Sequence, residues 1–213
     1  MANKILILGH PGSGKTSSAR DLDPKSTFII CPDEKALPFR GWKNNYKTTY
    51  GENGKIDLAN TNLYHTTSPQ VIKQLLKAIS EGKPETKVVL IDTITSLMIS
   101  EMMKRMGEKC FEKFNDFASD VYSIIKMIDG LRKDLTVIVV AHVEENYDAE
   151  GSLRVSFMVP GGKLLKEKIK QREFSLLLSF GKREKKFHKE EPEPWLNSGR
   201  LCRMYWKSSS RSA

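Results

Sequence analysis

The stretch that decides the fold is Leu6 to Ala19, LILGHPGSGKTSSA. A buried apolar strand (Lys4 to Leu8) runs into a glycine-rich turn, and Lys15-Thr16 open a helix predicted to end by Asp23-Pro24. Gly9-His10-Pro11-Gly12-Ser13-Gly14-Lys15-Thr16 fits the pattern GxxxxGK[ST] at each fixed position. Glycines let such a loop curl so that backbone N–H groups face phosphate oxygens. The lysine brings positive charge to the β and γ phosphates, and the Thr16 hydroxyl suits Mg²⁺. Loop and context together predict a bound nucleoside triphosphate, taken here as ATP with Mg²⁺.

A magnesium-bound phosphate needs a second acidic anchor at the end of a buried strand. Asp92 closes the apolar run KVVLID (87–92) and is assigned that part. Thr93 follows it, so no adjacent glutamate is available to activate water. The neighbouring apolar strand, STFIIC (26–31), leads into Pro32-Asp33-Glu34, and the catalytic acid is expected there, Glu34 first and Asp33 second. The fourth strand, LTVIVVAH (135–142), ends in His142, a candidate sensor of the γ-phosphate at the carboxyl end of the sheet.

Working outward, Ser68 and Pro69 begin a helix with Val71, Ile72, Leu75, Leu76 and Ile79 on one face, stopped by Gly82 and Pro84. A Met-rich helix is expected over 97–106 and a longer one over about 111–133. A hairpin turning at 149–152, a basic helix from Lys163 and a last strand over 173–180 complete the pattern. Residues 32–66 read as irregular and turn-rich. Apolar strands alternating with helices predict an α/β fold, a mostly parallel sheet with helices on both faces. The division expected is a P-loop core over 1–180 and a basic peripheral tail over 181–213.

The chain carries 35 Lys+Arg against 26 Asp+Glu, a net charge of +9. Residues 163–213 hold 14 of those basic residues and 6 of the acidic ones, so the excess sits in the last quarter. Such a segment suits contact with nucleic acid phosphates. Cys31, Cys110 and Cys202 are scattered, without a CxxC pair, which argues against a disulfide framework or a zinc site and fits a reducing compartment. No apolar run has transmembrane length, and the five-residue run near the start is too short for a signal-peptide core. A cytoplasmic location is expected, the host's cytoplasm for a phage protein.

The order of these motifs resembles the RecA-like ATPase core. More closely it resembles small phage-encoded nucleotide-binding ATPases of the AAA/RecA type, which include single-strand annealing recombination proteins. The likeness rests on GHPGSGKT (9–16), FIICPDEKALPFRGWK (28–43), VVLIDTITSL (88–97), VIVVAHVEE (137–145) and VPGGKLLKEKIK (159–170). It implies that the acid after the second strand, Asp33 or Glu34, activates water. It implies DNA contact by residues 144–160, where Arg154 is the positive residue, although that segment starts acidic. It also makes Lys163 and Lys166 candidates for reaching a neighbouring subunit's nucleotide in a homo-oligomer. The expected function is an Mg-dependent ATPase in phage recombination or replication. Its expected partner is single-stranded DNA or a replication or recombination protein, with no membrane. Trp42, Tyr46, Tyr50 and Trp195 are aromatics able to stack on bases, though packing is the commoner role. Two alternatives stand beside it, a non-hydrolysing loader or scaffold and a small-molecule nucleotide kinase.

Overall fold

A computed structural model describes residues 1–33, 35–52, 54–107, 112–147, 153–158, 174 and 176–180. The strands are β1 (Asn3–Gly9), β2 (Thr27–Cys31), β3 (Leu63–His65), β4 (Val88–Asp92), β5 (Thr136–Tyr147), β6 (Leu153–Phe157) and β7 (Leu176–Phe180). Between them lie α1 (Trp42–Asn45), α2 (Pro69–Gly82), α3 (Ile94–Lys104) and α4 (Glu112–Asp129). The sheet order is β3-β2-β4-β5-β1-β7, every pair on that path is parallel, and β6 adds antiparallel to β5. This is the α/β RecA-like P-loop architecture.

Strand alternation sends side chains to two faces. Leu6, Leu8, Phe28, Ile30, Val89, Ile91, Val137 and Val139 face α2, α3 and α4, where they meet Ile72, Leu76, Ile94, Leu97, Val121, Ile124 and Ile128. Ile7, Ile29, Cys31, Leu90 and Val140 face the other way, toward Ala19, Leu37, Tyr46 and Leu63, with Leu22, Phe39 and Trp42 at the margin. Residues 37–46 therefore cover the second face of the sheet. The turn-rich composition of this stretch, with Pro38 and Gly41 inside it, is what makes it read as irregular in the sequence. Phe39 and Tyr46 meet edge to face with ring centroids 6.2 Å apart. The segment also contains the short α1 and leads to β3, neither of which has a sequence period long enough to read.

Several boundaries differ from the sequence reading; α4 ends at Asp129 rather than near 133, and β7 starts at Leu176 rather than 173. The turn after Lys15 is a 3-10 helix, Thr16–Asp21, rather than an α-helix. α3 starts at Ile94, earlier than expected, because the Thr93 side chain accepts a bond from the Ser96 N–H and caps it. β5 runs on past His142 to Tyr147, because Val143–Tyr147 pair with Leu153–Phe157. Ser68 stands at the start of α2 as expected, but its side chain makes no capping bond. The basic helix from Lys163, the hairpin turn and the 181–213 tail lie outside the described residues. No helix among the described residues is long and apolar enough to cross a membrane.

Two cations fasten α2 to its surroundings. Lys83, just after the helix, donates to the carbonyls of Leu58 (2.8 Å), Ala59 (3.2 Å) and Thr61 (2.6 Å), tying down residues 58–61. Arg132 donates to the carbonyls of Ile79 (3.1 Å) and Lys83 (2.9 Å) and to that of Thr86. Its charge thus sits at the negative end of the helix, where carbonyls lack intrahelical partners. Arg132→Ala should cost about 2–3 kcal/mol of stability, the worth of a charged hydrogen-bond set with its acceptors left unpartnered. Urea unfolding checks this, and Arg132→Lys should recover part of the loss.

Candidate functional site

β1 delivers the phosphate loop, and β5, its neighbour, brings His142 level with Gly9. Asp92, at the end of β4, lies one strand further on, level with Val140. Asp92 and His142 share strand parity with Leu90 and Val140, so both project to the second face of the sheet. That shared parity brings them to the same cleft as the loop. The cleft has a volume of about 600 Å³, and its walls include Gly12, Gly14, Lys15, Thr16, Asp33, Lys35, Asp92, Thr93 and His142. Residues 36–38 close one side.

The loop's shape depends on two glycines. Gly12 and Gly14 have φ of +75° and +95°, a left-handed backbone that side chains disfavour. Between them, the Ser13 N–H donates to the His10 carbonyl at 3.1 Å and tightens the turn. Gly9, His10 and Pro11 complete the predicted motif at the end of β1. Lys15 Nζ is buried and donates to the carbonyls of Gly9 (2.8 Å) and His10 (2.7 Å). Burial lowers its pKa from the ordinary lysine value, while the Asp92 charge opposes that shift.

His142 Nδ1 lies 3.3 Å from Lys15 Nζ. Burial, then the Lys15 charge, push the His142 pKa below the ordinary histidine value, so the ring is neutral at pH 7. Facing an ammonium, Nδ1 serves as the acceptor, which puts the ring proton on Nε2. The His142 N–H donates to Thr95 Oγ1 (3.0 Å), and its carbonyl accepts from the Met158 N–H (2.9 Å), just beyond β6. The histidine thus touches the loop lysine through its ring and the hairpin through its backbone. Thr95, which orients it, had no sequence signal of its own, because a threonine in the first turn of a helix is unremarkable.

The acidic side has a different character. Burial raises the Asp92 carboxyl above its ordinary pKa, the Thr16 hydroxyl favours the charged form, and the Asp33 charge adds to the rise. Asp92 Oδ1 is buried with no hydrogen-bond partner. A hard cation held between this oxygen and the Thr16 hydroxyl would answer that deficit, so the donor chemistry fits Mg²⁺. Among the described residues no group of three or more His, Cys, Asp or Glu could hold a metal by itself. Such an ion would therefore depend on phosphate oxygens as well. Asp33 Oδ1 and Ser13 Oγ are also buried without partners. Three orphaned oxygens around one loop and cleft point to a polar ligand.

Asp33 lines the cleft, and its Oδ2 accepts from Lys35 Nζ at 2.6 Å. Glu34, the first choice for the catalytic acid, lies outside the described residues. Lys35 carried no motif in the sequence; it joins the site through its contact with Asp33 and its place on the cleft wall. Cys31 also borders the cleft, but burial and then the charges of Asp92 and Asp33 push its thiol up to about 12, leaving it protonated and unreactive. Of the residues linked to DNA or a neighbouring subunit, Arg154 stands on β6 opposite Asn146, with its side chain outside the description. Lys163 and Lys166 lie outside it altogether. Among the aromatics, Tyr46 is buried and Tyr50 is 61% exposed.

Residues 1–178 match the family described as AAA domain. No curated protein matches the sequence.

Proposed function

We propose that this chain, which belongs to the AAA domain family, binds ATP with Mg²⁺, hydrolyses it, and couples that cycle to single-stranded DNA in phage recombination or replication. The observation that carries the hydrolytic part is the meeting of Lys15, Thr16, Asp33, Asp92 and His142 around one cleft. Lys15 would hold the β and γ phosphates. Thr16 and Asp92 would hold Mg²⁺, which supplies charge neutralisation on the phosphate oxygens when bound. The acid that orients the attacking water is Glu34 or Asp33, and Asp33 lines the cleft. The water oxygen bonds to the γ-phosphorus while the bond to the β–γ bridging oxygen breaks. The water proton passes to the carboxylate of that acid, and ADP leaves with the electron pair of the broken bond. His142, beside Lys15 and bonded to the hairpin, is suited to report the state of the γ-phosphate.

The DNA part rests on the sequence resemblance and on the basic last quarter of the chain. The kinase alternative is weakened because two of the arginines available to clamp an acceptor are otherwise engaged. Arg132 fastens α2, and Arg105 pairs with Asp116 at 3.0 Å. Phosphate release should be measured with and without single-stranded DNA at low salt. Stimulation by DNA is the expected result. Turnover no faster than that of Lys15→Ala would instead favour the non-hydrolysing scaffold. ATPase activity indifferent to DNA would sink the DNA assignment alone.

A further inference from the structure

We propose that Lys35 reads the γ-phosphate by exchanging partners: it holds Asp33 when the γ-phosphate is absent and transfers to that phosphate when ATP enters. The proposal rests on the ATPase reading above and adds to it a residue that selects triphosphate over diphosphate.

The pair is asymmetric. The Asp33 side chain is 16% exposed and set in the cleft wall, whereas the Lys35 side chain is 76% exposed on a flexible stem. Lys35 Nζ reaches Asp33 Oδ2 at 2.6 Å, and the other Asp33 oxygen is buried without a partner. Among the described residues, the ammonium therefore provides this carboxylate with its side-chain hydrogen bond. Both residues border the same cleft as Lys15, Thr16, Asp92 and His142.

Charge makes the exchange favourable. Among the described residues that line the cleft, Lys15 and Lys35 balance Asp33 and Asp92, with His142 neutral. A triphosphate tail adds concentrated negative charge with several strong acceptor oxygens, and a mobile ammonium moves toward it. Asp33 then loses its cation when a water must be oriented against the γ-phosphorus. ADP lacks the γ oxygens and leaves the Lys35–Asp33 pair closed. An ordinary exposed ion pair would contribute little to stability and nothing to nucleotide choice.

The test uses the full chain with Mg²⁺, titrated with ADP and with a non-hydrolysable β,γ-imido ATP analogue, for wild type, Lys35→Met and Lys35→Arg. Lys35→Met should weaken analogue binding about tenfold, the loss of one charged hydrogen bond. ADP binding should stay within about twofold, and kcat should fall about tenfold or more. Lys35→Arg should recover most of both, since it keeps the charge. Equal weakening for both nucleotides, no change for either, or a rise in kcat on removing the lysine would each overturn the proposal while leaving the ATPase reading in place. A wild-type chain that binds neither nucleotide would overturn both.

Discussion

Lys15→Ala is expected to abolish ATP turnover, lowering kcat/KM by about 100-fold or more, the scale for removing one preorganised group from the developing charge of a transition state. The ammonium is held by the Gly9 and His10 carbonyls, and burial costs it part of its charge stability. Phosphate oxygens relieve that deficit, so this lysine gains most when the charge on the transferring group is greatest. Two readouts check the point. Phosphate release should fall to background, and the rise in Tm that ATP gives the wild type by binding the folded state should disappear. A retained ATP-dependent Tm shift with normal turnover would overturn the loop assignment. Far-UV circular dichroism should stay unchanged, because Lys15 lies outside both apolar clusters of the sheet.

Asp92→Asn should separate function from stability. The substitution removes the charge assigned to magnesium, so Mg-dependent turnover should fall about 100-fold or more. The nucleotide-free protein should nevertheless become more stable. Burial lifts the Asp92 pKa above its ordinary 3.8, so the folded chain holds that proton more firmly than the unfolded chain does. The resulting stabilisation is complete below 3.8 and is lost as the pH rises through the lifted folded value. At neutral pH the ionised carboxylate, with one oxygen unpartnered, weighs against the fold. Its removal should be worth about 1 kcal/mol, or roughly 2–4 °C in Tm for a domain of this size. Scanning calorimetry at pH 7 without metal tests the sign. With Mg²⁺ and ATP the order should reverse, because the wild type alone gains from the ion. A lower Tm for the metal-free variant would mean that Asp92 is a structural acceptor.

The legible parts of the fold were those with a period. KILIL, STFIIC, KVVLID and LTVIVVAH are unbroken apolar runs, and each became a parallel strand within a residue or two at its start. The helix after Ser68 was equally clear, since Ile72, Leu75, Leu76 and Ile79 repeat on one face and are all buried. Residues 37–46 were illegible for the opposite reason. Leu37, Phe39, Trp42 and Tyr46 are set among Pro38, Gly41 and turn-forming residues that interrupt any sustained period, yet they cover one face of the sheet. A side chain that packs from an irregular segment leaves no periodic trace.

The sequence by itself determined the phosphate loop, because a glycine-rich turn between strand and helix is local chemistry complete within eight residues. It also placed an acid or a histidine at the ends of three further strands. Only the tertiary structure decided how those residues meet. The insertion of β5 between β1 and β4 sets His142 beside Lys15 and Asp92 one strand beyond. Strand order is a long-range property, set by which apolar faces bury together, and no local pattern encodes it. The same holds for the Lys35 contact with Asp33, whose meaning depends on the cleft that both residues border.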